Sequence, residues 1–214
     1  MIQTEARVLA DVVRELAKLS VGVAVAACVT LSHAAEPLAK PTTVTPTIEA
    51  NDLYGVAVSI GKGQRTKLTV VIFITTDCPI ANSYHPTIEK LRRDYAGQDC
   101  QIVLVHEQPG TTTEAALTHA KDYAIAAPIL LDKDHAIARS VGATVTPEAV
   151  VVDGQGMIRY RGRIDDRYAT FGKKRPQATR HDLQDAMVAA LQGKQITPTE
   201  TKAVGCLIRL ESSP

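Results

Sequence analysis

The residues of this chain best suited to chemistry are Thr75-Thr76-Asp77-Cys78-Pro79. The apolar run of residues 68–74 ahead of them reads as a buried parallel strand, and Pro79 suits the first position of a helix, where a missing N–H costs nothing. Cys78 then caps that helix. The amide groups and the positive dipole end around its sulfur favour the thiolate, the form that attacks disulfides and peroxides. A core cysteine sits within an apolar run as a small hydrophobe. Cys78 instead follows Thr-Thr-Asp and precedes proline, at the strand end where open α/β sheets place their sites, so it is expected within reach of solvent.

Other residues are candidates to act on that sulfur. Cys78, Cys100 and Cys206 are an odd set, so any single pairing among them leaves one thiol over. A helix from Pro79 to Tyr95 carries the chain roughly 25 Å from Cys78, and Cys100 opens the next strand at that far end. Cys206 lies 13 residues beyond Gly193, a tether that spans about 40 Å when extended. Cys206 is therefore the expected resolving thiol; the alternative is a structural clamp between Cys206 and Cys100. His106 and Glu107 end the second parallel strand and share an edge with Cys78, either as proton acceptors or as a solvated strand end, while Asp77 tunes the thiol or satisfies backbone donors. No tight cluster of metal ligands stands out, although Cys78, His85 and Cys206 are soft enough together for Cu(I). His85 stands two helical turns, about 10 Å, along the axis from the cysteine, which weakens that set.

The elements that must position these residues are readable from periodicity. A short strand at 55–60 and a turn at 61–64 precede the buried strand, and the helix after Cys78 presents Ile80, Tyr84, Ile88, Leu91 and Tyr95 on one face, with a kink expected at Pro86. Residues 102–105 read as the next strand. Thr111-Thr112-Thr113-Glu114 matches a capping box that opens a helix with Leu117, Ala120 and Ala124 inward. Residues 129–131, a short helix ending at Gly142 and Thr146-Pro147 follow, then a hairpin of 149–152 and 157–163 around Asp153-Gly154-Gln155-Gly156, and a last helix over 181–192 stopped by Gly193. Alternation along the second hairpin strand puts Arg161 and Arg163 on one face.

The chain has 214 residues, 45% of them hydrophobic, enough for one well-buried domain with appendages. A net charge of +1 and 4% aromatic residues, with no tryptophan, give neither a basic footprint nor stacking platforms, which argues against nucleic-acid binding. Arg7, Arg14 and Lys18, the apolar run 19–31 and Ser32-His33-Ala34-Ala35 have the order of a secretory signal, expected to end at residue 34. Val25-Ala26-Ala27-Cys28 resembles instead a bacterial lipoprotein box, with Cys28 lipidated as the only membrane attachment. A third reading is an amphipathic leader helix over 5–18, since Glu5, Asp11 and Glu15 interrupt the basic region. Residues 35–52 read as an extended linker, 53–193 as the folded domain and 194–214 as a tail carrying Cys206. The expected location is exported, periplasmic or lipid-anchored, where disulfides persist.

The strand and helix order over residues 68–193, with Asp77-Cys78-Pro79 at the first junction and Thr146-Pro147 before the hairpin, resembles the thioredoxin-like superfamily: an α/β fold with a central mixed sheet flanked by helices. That resemblance implies a cis Pro147 facing the sulfur, with Thr146 and Pro147 contacting substrate. Ala81 stands where the second cysteine of a Cys-x-x-Cys motif belongs, so dithiol exchange within the motif is not expected. Thr75, three residues before Cys78, is similar to the threonine of peroxiredoxin-type redoxins, although Val71 replaces their proline. The resemblance assigns Thr75 to orient a peroxide and Arg161 or, by preference, Arg163 to supply the stabilising cation. Gly162-Arg163-Ile164-Asp165-Asp166-Arg167-Tyr168 and Gly205-Cys206 resemble exported bacterial redoxin-domain proteins.

The expected function is thus a thiol-dependent oxidoreductase in which Cys78 attacks a peroxide, slightly favoured by Thr75, or a protein disulfide, and Cys206 resolves the product with help from a thiol reductant; no cofactor is implied. The alternatives are a copper-binding or copper-delivery module and a non-catalytic binding domain.

Overall fold

In the computed structural model, residues 45–210 are described. The leader, Cys28 and the first part of the linker lie outside them. Strands β1 (Ile48–Asn51) and β2 (Ala57–Ile60) form an antiparallel pair. The linker expected up to residue 52 is thereby corrected, because Ile48 and Ala50 pack against a core cluster that holds Val58 and Ile60.

A five-stranded sheet carries the fold, in the order β5 (Ile129–Leu131), β4 (Cys100–His106), β3 (Leu68–Ile74), β7 (Glu148–Asp153), β8 (Ile158–Gly162). β3 runs parallel to β4 and antiparallel to β7, so the sheet is mixed. Every residue of β3 is buried, as its unbroken apolar run requires. Period-two alternation divides those side chains between two cores. Leu68, Val70, Ile72 and Ile74 join a cluster with Ile80, Tyr84 and Ile88 of helix α1 (Pro79–Asp94) and Leu183 and Met187 of α4 (Asp182–Leu191). Val71 and Phe73 face the other way, onto Ile137 and Val141 of α3 (Ala136–Val141) and onto β2.

Helix α1 runs unbroken through Pro86. Helix α2 (Thr113–Asp122) is capped by Thr112, whose hydroxyl accepts from the Ala115 amide, one residue later than the expected box, and it turns Ala116, His119 and Ala120 inward in place of Leu117 and Ala124. Beyond the sheet lie β6 (Val145–Thr146), β9 (Tyr168–Thr170), β10 (Lys173–Lys174) and β11 (Cys206–Leu207). The expected tail is integral to the fold. Arg161 exchanges backbone hydrogen bonds with Thr199 and Thr201, β11 pairs antiparallel with β6, and Ile208 is buried in the second core. No helix among the described residues is long and apolar enough to cross a membrane.

Candidate active site

β3 ends at Ile74, the chain turns through Thr75-Thr76-Asp77, and Cys78 caps α1 with Pro79 at the first helical position. The Cys78 sulfur accepts from the Ala81 amide at 3.5 Å and donates to the carbonyl of Thr146 at 3.1 Å. The Thr146–Pro147 bond is cis, and Thr75 is buried directly after β3. The third neighbour is Cys206: its sulfur donates to that of Cys78 at 3.0 Å, about 1 Å beyond a covalent S–S bond. Backbone pairing makes this approach: Cys206 faces Thr146 and Leu207 faces Val145 in the β11–β6 ladder. Gly205 lets the strand lie close, since a Cβ there would stand 1.9 Å from the Thr146 carbonyl oxygen. Both thiols are free.

Two expectations about the thiols change. Cys78 is 1% exposed, beneath the Gly205–Cys206 segment, rather than open to solvent. Cys100 pairs with Leu68 at the opposite end of β3 from the Cys78 turn, so the Cys100–Cys206 clamp has no geometric basis. Burial, aided by Asp99, pushes the Cys100 thiol up to about 11. Burial and the proton it shares with Cys78 raise the Cys206 thiol, and the charges of Asp77 and Glu107 add to the effect. Cys206 thus stays a proton donor beside the other sulfur.

The arginines go elsewhere. Arg163 Nε and Nη2 grip Asp182 of α4 at 2.7 and 3.2 Å, whereas Arg161 reaches Glu200 at 2.9 Å and the carbonyls of Val141 and Gly142. The expected shared face is broken at Gly162, whose φ of +147° turns the chain and whose missing Cβ admits the Thr201 backbone. Arg163 is therefore corrected from peroxide-site cation to a clamp between β8 and α4. Glu107 is buried with its carboxyl raised by burial, and His135 Nε2 lies 3.3 Å from it without hydrogen-bond alignment. His85 turns to His119 and Tyr123, with ring centroids 5.1 and 5.2 Å apart, so the set Cys78, His85, Cys206 is not assembled. Among the described residues no group of three His, Cys, Asp or Glu side chains is arranged to hold a metal ion.

The redoxin family model matches residues 39–179, 141 of the 214. The chain belongs to the redoxin family. It is a redox protein of thioredoxin-like fold. Among solved structures, a hypothetical protein from Sinorhizobium meliloti 1021 is similar at 27% identity and a TM-score of 0.68, over 80% of this chain and 94% of that one. Two more distant structures share the fold: an uncharacterized conserved protein from Geobacillus kaustophilus (22% identity, TM-score 0.69, 80% and 93% covered) and a putative thiol:disulfide interchange protein DsbE from Chlorobium tepidum (17%, 0.54, 70% and 96%). No curated protein matches the chain.

In this redoxin the family match ends before Cys206, so the second sulfur comes from chain outside it. The sequence reasoning missed Asn82 and His119. Asn82 brackets the cysteine, its backbone N–H donating to the Cys78 carbonyl and its Nδ2 to the Thr76 carbonyl, both at 2.9 Å. The signal available was a polar residue four positions after a capping cysteine, one turn along the same helix face.

Proposed function

We propose that this redoxin is a thiol–disulfide oxidoreductase whose working pair is Cys78 and Cys206. The observation that carries the reading is the 3.0 Å approach of two free thiols, one at a helix N-cap and one on a docked strand. Cys78 is the nucleophile, because its sulfur is the one that accepts two donors, the Ala81 amide and the Cys206 S–H. As a thiolate it attacks one sulfur of a protein disulfide, forming a mixed disulfide and releasing one substrate thiolate. Cys206, once deprotonated, then attacks the Cys78 sulfur. The second substrate thiolate leaves, the substrate gains two electrons, and a Cys78–Cys206 disulfide remains for an external thiol reductant to reopen. Because Cys78 is covered, the Gly205–Leu207 segment lifts from β6 to admit substrate.

Disulfide exchange takes precedence over the peroxide reaction suggested by Thr75, since the guanidinium groups of Arg161 and Arg163 are engaged away from the sulfur. The setting we propose is exported, supported by the order of residues in the leader.

The test is peptide mapping after oxidised glutathione is added to the reduced protein. Wild type should close a bridge between residues 78 and 206, Cys206→Ser should stop at a glutathione adduct on Cys78, and Cys78→Ser should form neither. An unmodified Cys78 in the Cys206→Ser protein, or a bridge to Cys100 in wild type, refutes the reading.

A further inference from the structure

Beside the sulfur pair lies a hydrogen-bonded series that the exchange chemistry does not use. Asn82 Nδ2 donates to Thr76, so Asn82 Oδ1, 2.9 Å from His119 Nε2, can only accept. His119 therefore carries its proton on Nε2. In a neutral ring Nδ1 is then an acceptor, and His106 Nε2, 3.3 Å away, must be the donor. His106 Nδ1 is left buried, with its lone pair unpartnered. The order is fixed from end to end: His106 donates to His119, His119 to Asn82, and Asn82 to the carbonyl two residues before Cys78.

A proton added to His119 has only Nδ1 to occupy. It would confront the His106 N–H and force His106 to shift its own proton to Nδ1, where no acceptor waits, while a charge enters a buried site. The groups facing the series are His85 of α1, itself beside Glu89, and Asp122 and Tyr123 at the end of α2. Burial outweighs the pull of Asp122 and lowers His119, and burial together with the neighbouring His119 and His85 holds His106 near 4. An open groove of about 580 Å³, lined by Thr76, Thr112, Glu114, Thr118, His119 and Tyr123, brings solvent protons to the edge of the series.

We propose that Asn82, His119 and His106 are positioning residues for Cys78: as a neutral series they fix the Thr76 carbonyl, and with it the turn that sets the sulfur between Thr146 and Cys206. The inference rests on the redox reading of Cys78 and adds residues to it. It separates the pH dependence of the reaction into the thiol's own ionisation and a second, acid-side release of the turn.

The experiment measures the rate of glutathione adduct formation at Cys78 in the full chain carrying Cys206→Ser, from pH 8 toward pH 4, with circular dichroism at each pH to verify folding. In this parent the logarithm of the rate should fall by more than one per pH unit as the imidazoles charge. Asn82→Ala should slow the reaction about fivefold at neutral pH, the equivalent of one ordinary hydrogen bond, and lose the extra acid dependence. His119→Gln keeps an amide donor for Asn82 but cannot be charged; it should retain the neutral rate and also lose the acid dependence. If both variants superimpose on the parent at every pH, or if Asn82→Ala keeps the steep acid limb, the positioning role is refuted and the exchange chemistry stands. A parent that forms no adduct at any pH overturns the redox reading and the positioning role with it.

Discussion

Arg163 shows how a residue that resembles a catalytic cation can be committed to structure. Its bidentate contact leaves Asp182 buried against one partner, with Arg180 a weaker second at 3.6 Å. Arg163→Ala should therefore destabilise the fold by roughly 2 kcal/mol through the stranded carboxylate, while the rate of disulfide exchange stays within twofold of wild type; urea titration and the glutathione assay read the two effects separately. His85 is the opposite case. Both ring nitrogens are buried without a hydrogen-bond partner. Replacing it by an apolar ring, His85→Phe, should raise the urea midpoint, by about 1 kcal/mol in stability terms, since an unmet polar group is removed.

Among the elements, the buried histidines couple α1, β4 and α2 to acidity. His85 and His106 titrate near 4 in the folded protein against an ordinary value of 6.5, burial being the main cause. Between those values the unfolded chain binds more protons. The stabilisation from neutral burial is thus complete above pH 6.5 and is lost as the pH falls toward 4, at roughly 1.4 kcal/mol per pH unit for each imidazole. Urea midpoints at pH 7 and pH 4.5 check the sign and the size. What was legible follows the same elements. The run 68–74, the capping cysteine and the last helix announce themselves because periodicity and caps are local signals. The inward turn of His119 was hidden, since apolar spacing favours Leu117 over a histidine for the buried face, whereas the fold buries Ala116, His119 and Ala120. The divergence of Arg161 and Arg163 was hidden too, because alternation assumes an ordinary backbone and Gly162 does not have one.

At the level of the whole molecule, the contact between the Cys78 and Cys206 sulfurs joins two distant stretches of chain, 128 residues apart. That separation was readable as a permissive tether, but the docking of β11 on β6 depends on Gly205 fitting against a carbonyl that only the folded Thr146–Pro147 turn presents. Gly205→Ala should free the strand: alkylation of Cys78 in the reduced protein should speed up, and closure of the 78–206 bridge should slow, both by mass spectrometry. In wild type the oxidised form should resist urea more than the reduced form, by up to about 5 kcal/mol in the chain-entropy account, and Cys206→Ser should abolish the difference.

The order of the cysteines also bears on biosynthesis. Cys78 and Cys100 emerge from the ribosome well before Cys206, so Cys78 meets Cys100 before its neighbour in the fold has been made. The parallel register of β3 and β4, which seats Cys100 opposite Leu68, holds those two thiols at opposite ends of the sheet once the strands pair, and early strand pairing thereby guards the nascent polypeptide against a mispaired crosslink.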